Sequence, residues 1–358
     1  MAGESDMKKV LYISNIEVPY RVRFLNQLSQ ECDLTVLYER KRSSNREKSW
    51  AKSAQCQYRT KYLRGIKLGG EYCFSLGILK EIFSEYDCVI IGCYSSMVQM
   101  MAILAMRLFR KPYYLNLDGE PYVDKTGLKS KVKRFFLRGA DKYLVAGTRA
   151  AESLRQIVGQ KQVFSYNFSS LTMEEVQDHI HTEVDQRNDV VLVVGQYFDY
   201  KGMDVALKAA EMDPSQQYKF VGMGKRTCLF EKDFQVPDNV QIIPFLPKEE
   251  LESEYRKCAM LVLPSRRECW GLVVNEAASY GMPIVSTWGS GAAVEFLAEA
   301  YPQYLATPAD PADLLRCIDL CRRSGDQEQY SEYLRNRSKE YHIEQNVQAH
   351  VMALADDC

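Results

Sequence analysis

Leu261-Val-Leu-Pro-Ser-Arg-Arg-Glu-Cys-Trp-Gly-Leu-Val-Val-Asn-Glu-Ala-Ala-Ser-Tyr-Gly-Met-Pro-Ile-Val-Ser286 is the stretch that decides the fold. Its apolar start predicts a short buried strand, residues 264–271 a loop, the following residues a helix, Gly281 a turn, and residues 283–286 a second strand. Strand, helix and strand in that order form the crossover that joins parallel strands. Open sheets of this kind bind ligands beyond the C-terminal ends of their strands, where residues 264–271 fall. Glu268 lies in that loop, and Glu276 lies about two turns further along, inside the helix. A carboxylate accepts hydrogen bonds from vicinal hydroxyls, so one can hold a sugar and the other a ribose. Equally, Glu268 can complement a helix dipole while Glu276 is solvated. Spacing alone leaves both open.

The alternation continues outward from this stretch. Val190-Val-Leu-Val-Val-Gly195, Tyr218-Lys-Phe-Val-Gly222 and Val240-Gln-Ile-Ile243 read as strands, with residues 201–212 helical between the first two. Before a polar stretch at 167–189, a similar series runs through Lys8-Lys-Val-Leu-Tyr-Ile-Ser14, Leu34-Thr-Val-Leu-Tyr38, Cys88-Val-Ile-Ile-Gly92, Tyr113-Tyr-Leu-Asn-Leu117 and Lys142-Tyr-Leu-Val-Ala146. Two successive α/β series predict two doubly wound, Rossmann-like domains. Their expected extents are 7–168, joined by a C-terminal helix at 340–358, and 189–339, with a linker at 169–188 between them. A chain of 358 residues is long for one core, which agrees with two.

Composition narrows the function. A net charge of −1 gives no reason to expect nucleic acid as a partner. Eleven scattered cysteines, from Cys32 to Cys358, fit a reducing compartment better than a disulfide framework. The closest pair, Cys317 and Cys321, has no second pair at zinc-site spacing and reads as buried helix cysteine. The polar residues before Met7 lack a signal-peptide core, and the most apolar helical run, residues 96–109, is too short and polar to span a bilayer. Neither series carries Gly-x-Gly-x-x-Gly after its first strand, which disfavours a nicotinamide or flavin dinucleotide, and no Walker sequence occurs. Residues 127–138 interleave Leu128, Val132, Phe135 and Phe136 with Lys129, Lys131, Lys133, Arg134 and Arg138. Such a helix suits either an anionic lipid surface or packing on its own domain.

The segment from Glu268 to Glu276 resembles the Glu-x7-Glu signature of the family 4 retaining glycosyltransferases, whose GT-B architecture places two Rossmann-like domains across a cleft. Pro264-Ser265 before it, Gly271-Leu272 and Glu276-Ala277 within it, and Gly281-x-Pro283-x-Val285 after it carry the likeness. The resemblance implies that Glu276 binds the nucleotide ribose and Glu268 the donor sugar, with Trp270 where the family usually has Phe. Val194-Gly-Gln-Tyr-Phe-Asp-Tyr-Lys-Gly202 resembles the loop in which an Arg and a Lys grip the donor diphosphate. Lys201 matches, but Gln196 stands at the Arg position and cannot neutralise charge. Lys225 and Arg266 are candidate substitutes. Phe220-Val-Gly-Met-Gly224 looks like the family's Gly-x-Gly loop (Gly222, Gly224), and Ile243-Pro-Phe-Leu-Pro247 like its base-contacting turn, with Phe245. Gly289 and Gly291, in Trp288-Gly-Ser-Gly-Ala-Ala-Val-Glu295, look like a diphosphate-binding turn.

The first half departs from the family. Glu17-Val-Pro-Tyr-Arg-Val-Arg23 replaces its Gly-Gly turn, with Arg21 and Arg23 as phosphate or acceptor candidates against a solvated-face alternative. In Leu115-Asn-Leu-Asp-Gly-Glu-Pro-Tyr122, Asp118 and Glu120 stand where a His is common, either to orient an acceptor hydroxyl or as a plain Asp-Gly turn. The resemblance implies transfer of a hexose-type sugar from a nucleoside diphosphate, UDP before GDP, to a glycan or lipid-linked acceptor. It implies no metal or other cofactor, and a cytoplasmic enzyme that can lie peripherally on the inner leaflet. A nucleotide-sugar epimerase or hydrolase, or a non-catalytic sugar-binding subunit, would share the pocket.

Overall fold

The computed structural model describes residues 7–40, 55–67, 73–121, 123, 126–184 and 187–355. The expectations for the polar start before Met7, for Tyr122 and for Cys358 lie outside them. The chain divides into two compact units, residues 1–167 with 343–358, and residues 168–342.

In the first unit a parallel sheet has the order β3-β2-β1-β6-β7-β8-β9, with β1 Lys9–Ile16, β2 Asp33–Arg40, β3 Arg59–Tyr62, β6 Cys88–Ile91, β7 Tyr114–Leu117, β8 Lys142–Ala146 and β9 Gln162–Tyr166. A small antiparallel pair, β4 Ile66–Lys67 and β5 Cys73–Phe74, stands apart from it. Central strands such as β6 and β7 are buried at every residue, so β6 reads as an unbroken apolar run and β7 as one broken only by Asn116. Helices α1 Pro19–Leu28, α2 Gly77–Ile82, α3 Met97–Leu108, α4 Leu128–Leu137 and α5 Thr148–Val158 follow strands in the crossover pattern. A Pro at the first turn starts α1, where a missing N–H is harmless.

The second unit repeats the plan. Its parallel sheet has the order β12-β11-β10-β13-β14-β15, from β10 Val190–Val194, β11 Gln217–Val221, β12 Val240–Ile243, β13 Met260–Leu263, β14 Ile284–Thr287 and β15 Leu305–Ala306. Helices α6 Met173–His181, α7 Met203–Met212, α8 Thr227–Asp233, α9 Lys248–Lys257, α10 Leu272–Ser279, α11 Gly291–Leu297, α12 Pro311–Arg323 and α13 Gln327–Ser338 complete it. Helix α14, Ile343–Ala355, returns to the first unit, burying Ile343, Val347 and Leu354. Lys8 and Lys142 donate to the carbonyls of Leu354 (2.6 Å) and Ala353 (2.9 Å), placing cations at its C-terminal dipole end.

The 169–188 stretch, expected as a linker, carries α6. Thr172 and Glu175 form a capping box at its start, Val176 is buried, and His179 Nδ1 lies 2.8 Å from Ser279 Oγ on α10. Burial lowers the His179 pKa to about 4, so its imidazole is neutral. Strands β3, β9 and β15 were not expected. The first is an exposed edge, the second an edge of mixed exposure that ends on the buried Tyr166, and the third is two residues long.

Candidate functional site

In the second sheet β10 lies between β11 and β13, so the chain leaves its first strand in one direction and later returns to the other side. Loops after strands on either side of such a reversal form the natural ligand crevice of an open α/β sheet. Here they are residues 195–202 after β10 and 264–271 after β13. Gly202 sits at φ 66°, and a Cβ there would fall 2.1 Å from Pro264 O, so only glycine lets the loops approach this closely. Arg267 N donates to Tyr200 O at 3.1 Å. Across this junction Lys201 Nζ forms an ion pair with Glu268, the two side chains being 22% and 14% exposed.

The Glu268 loop is also held by the turn after β14. Glu268 N donates to Gly289 O (2.8 Å), and Gly291 N and Ala292 N donate to Glu268 O (3.2 Å) and Trp270 O (2.9 Å). Gly289 N donates to Thr287 Oγ1 at 3.1 Å. The amides of Gly289 and Gly291, expected to meet a diphosphate, are thus engaged within the protein. A Cβ on Gly291 would lie 2.3 Å from Cys269 O, and one on Gly289 2.5 Å from Arg266 O. Their glycine identity is explained by close backbone packing that fixes Glu268.

Gly271, at φ 103°, opens α10 with no side-chain cap, and Leu272 is its first residue. Glu276 follows within the helix, half-buried, with Oε1 accepting from Ser170 Oγ (3.1 Å) and Oε2 from Tyr255 (2.9 Å). Burial raises its pKa, and these two donors offset part of the rise. Trp270, expected at the donor, is instead a core residue. It is 3% exposed, donates through Nε1 to Asn275 Oδ1 at 2.9 Å, and lies 6.1 Å from the rings of both Phe168 and Tyr341. An indole fills that space because Asn275 satisfies its N–H.

Half-buried Gln196 begins the first loop. On the neighbouring strand, Gly222 (φ 99°) and Gly224 (φ 54°) turn the chain after β11, and Gly222 N donates to Ile243 O at 3.2 Å. Half-buried Phe245 lies in the adjoining loop after β12. Arg266 does not replace the missing cation at Gln196. Its guanidinium is bidentate to Asp204, at 2.8 and 2.6 Å, and also donates to Asp199 O. Lys225 is exposed. Among the described residues, no three or more His, Cys, Asp or Glu side chains are grouped to hold a metal ion.

The first unit brings together two of its own expected residues. Arg21, read as a phosphate candidate or a solvated cation, is buried at 6% exposure and pairs with Asp118. Tyr166 donates toward Leu117 O (2.9 Å) and Asp118 Oδ1 (3.1 Å), Arg21 donates to Tyr12 at 3.2 Å, and Tyr12 donates to Asn116. From α14, His350 Nε2 approaches Asn116 Oδ1 at 3.5 Å, and burial lowers its pKa to about 4. Glu120 stands apart from this network, accepting from Ser153 Oγ at 2.6 Å. Arg23 is half-buried on α1.

The family model described as glycosyl transferases group 1 matches residues 176–341. That match covers just under half of the chain, all of it within the second unit. An uncharacterized glycosyltransferase of Methanocaldococcus jannaschii is 29% identical over 213 residues, 57% of this chain and 56% of that protein, so the chain spans about half the length of this relative. HepE of Anabaena, solved in complex with UDP-glucose, superposes with a TM-score of 0.71 at 15% identity, covering 98% of this chain and 100% of that one. WaaG, a glycosyltransferase involved in lipopolysaccharide biosynthesis, does so with a TM-score of 0.67 at 13% identity, covering 96% and 98%. At these identities the likeness to solved structures concerns the GT-B fold.

The second unit contains supporting residues that no local pattern marked. Ser170 and Tyr255 hold Glu276 from 106 and 21 positions away in sequence. Only the three-dimensional path of the chain connects them.

Proposed function

We propose that this chain is a retaining glycosyltransferase that moves a hexose-type sugar from a nucleoside diphosphate, UDP in the first instance and GDP in the second, to an acceptor hydroxyl. The observation that carries this reading is the Lys201–Glu268 pair at the sheet's reversal point, with Glu276 held on the helix that starts beside it. A diphosphate would draw Lys201 toward its own oxygens and leave Glu268 to accept from the donor sugar's hydroxyls. The uncapped start of α10, at Gly271 and Leu272, offers backbone N–H groups to the same phosphates. Glu276 takes the ribose, and Gly222, Gly224 and Phe245 line the nucleoside end.

In the transfer, the bond from the anomeric carbon to the phosphate oxygen breaks, and a bond to the acceptor oxygen forms on the same face. The acceptor proton passes to the departing diphosphate, whose growing charge Lys201 and the α10 amides stabilise. Asp118, aimed by Arg21 and Tyr166, is the residue assigned to the acceptor hydroxyl, with Glu120 beside it in sequence. WaaG's role in lipopolysaccharide biosynthesis favours a glycan or lipid-linked acceptor here. The test is proton NMR of UDP-glucose turnover against a panel of sugar acceptors. Release of UDP with an α-linked product, lost in Glu268→Gln, is expected. UDP-glucose consumed without a glycosylated product would favour a hydrolase or epimerase, and no turnover of UDP- or GDP-sugars would sink the proposal.

A peripheral membrane position, on the cytoplasmic leaflet, is the second part of the proposal. Among the described residues no helix is long and apolar enough to cross a membrane. On α4, Phe136 and Leu137 face the core, whereas Leu128 (78%), Val132 (43%) and Phe135 (45%) form an outward stripe. Lys129 and Lys131 are exposed on the same helix, and Arg107 of α3 lies 4.0 Å over the Phe135 ring. Packing on its own domain explains the inner stripe but not the outer one, which suits an anionic lipid surface at about 1 kcal/mol per cation. Sedimentation with vesicles containing phosphatidylglycerol, and not with phosphatidylcholine alone, is expected. Binding that survives Leu128→Ser with Phe135→Ser would refute it.

A further inference from the structure

Gln196 leaves the donor loop one positive charge short of what the resemblance calls for, and two of the cations near it are already committed. Lys201 is shared with Glu268, and Arg266 is held by Asp204 and Asp199. Arg226 is different. It ends the single 3₁₀ turn Gly224–Arg226 that follows β11, the strand beside β10. The loops after these strands touch, since a Cβ on Gly222 would lie 3.5 Å from Gly195 O. The Arg226 guanidinium stacks over Phe198, two residues beyond Gln196, with Cζ 3.9 Å from the ring centroid. Phe198 in turn stacks on Tyr200 at 5.4 Å and 15°, forming a platform within the same loop. Among the described residues, no carboxylate pairs with Arg226 and no side-chain hydrogen bond engages its guanidinium.

A guanidinium stacked on an aromatic face keeps its in-plane N–H groups available, and their fork matches two phosphate oxygens. We infer that Arg226, held on Phe198, supplies the cation that Gln196 cannot, and binds the donor diphosphate from the strand next door. The inference rests on the donor reading above and names a binding residue that the loop's own sequence does not contain.

The test is calorimetric titration of UDP and UMP into wild type, Arg226→Ala, Arg226→Leu and the double variant Arg226→Ala with Gln196→Arg. Arg226→Leu keeps apolar cover on Phe198 and guards against loss of the platform. Wild type is expected to prefer UDP over UMP. Both single variants should lose about tenfold or more in UDP affinity, with the UDP-to-UMP preference flattened, as expected for losing one charge-assisted contact. Restoring an arginine at position 196 should recover most of the loss. Wild-type preference retained in Arg226→Ala and Arg226→Leu would overturn the inference alone. Equal losses for both nucleotides, not rescued by Gln196→Arg, would reduce Arg226 to packing and overturn it too. No UDP binding by wild type would remove the donor reading and this inference with it.

Discussion

Replacing Glu276 with glutamine should strip affinity from the ribose while leaving the fold at least as stable. The carboxylate accepts one hydrogen bond on each oxygen, from Ser170 and from Tyr255. An ionised carboxylate has about four acceptor positions, so about two remain, one for each hydroxyl of a vicinal diol. A glutamine keeps one acceptor oxygen and loses the charge. At least one charge-assisted hydrogen bond disappears, about 1.5–3 kcal/mol, or roughly 10- to 150-fold in affinity. Stability moves the other way. Burial raises the Glu276 pKa, so above that raised value its ionised form penalises the folded state, and the penalty fades as pH falls toward the unfolded carboxyl's pKa. Near neutral pH, Glu276→Gln should therefore melt no lower than wild type. Calorimetry with UDP and with 2′,3′-dideoxy-UDP reads the effect. The variant should weaken for UDP and match wild type for the dideoxy compound. Equal weakening for both ligands, or unchanged UDP affinity, would refute the ribose assignment.

Lys201→Ala should lower UDP affinity by about tenfold or more, and should also cost about 1–3 kcal/mol of stability because Glu268, 14% exposed, loses its counter-charge; normal affinity in a titration would sink the diphosphate role. His350 is neutral in the fold, with its pKa lowered to about 4 by burial, whereas the unfolded imidazole takes a proton near 6.5. Stability should then fall as pH drops from about 6.5 to about 4, by about 3 kcal/mol in all, and urea titrations of His350→Gln should show a shallower loss across that window. Gly291→Ala forces a Cβ to 2.3 Å from Cys269 O and should lower both melting temperature and UDP affinity, while Gly325→Ala, with nothing within 4 Å, should leave both unchanged in the same melts and titrations.

The two doubly wound sheets were legible because central parallel strands are mainly apolar along their length and the helices between them are apolar on one face only. The positions of Lys201 and Glu268 just beyond strand ends were legible, since each follows an apolar strand pattern directly. Their contact was not, because it depends on Gly202 allowing Pro264 to approach. Arg21 and Asp118 were each named for a separate task, yet they pair across 97 positions of sequence. No spacing rule joins a helix start to a strand end that distant. Trp270 shows the reverse failure: its position in a motif was right for the loop and silent about side-chain direction, which Asn275 and the Phe168 ring decide. The capping box at Thr172 and Glu175 was readable and marks α6, hidden by the polar composition around it. On α4 the apolar spacing was plain, but which residues face water required the packed domain.

The most direct test of the central claim is thermal unfolding of the full chain with UDP, GDP, ADP and dTDP. A nucleoside diphosphate that binds the native second unit at about a hundred times its dissociation constant adds about 2.7 kcal/mol by mass action, and each kcal/mol raises the melting temperature of a unit of this size by about 2–4 °C. A rise of several degrees with UDP, or with GDP in its place, and its loss in Lys201→Ala is the expected result. Unshifted melting with all four nucleotides would contradict a nucleotide-sugar site.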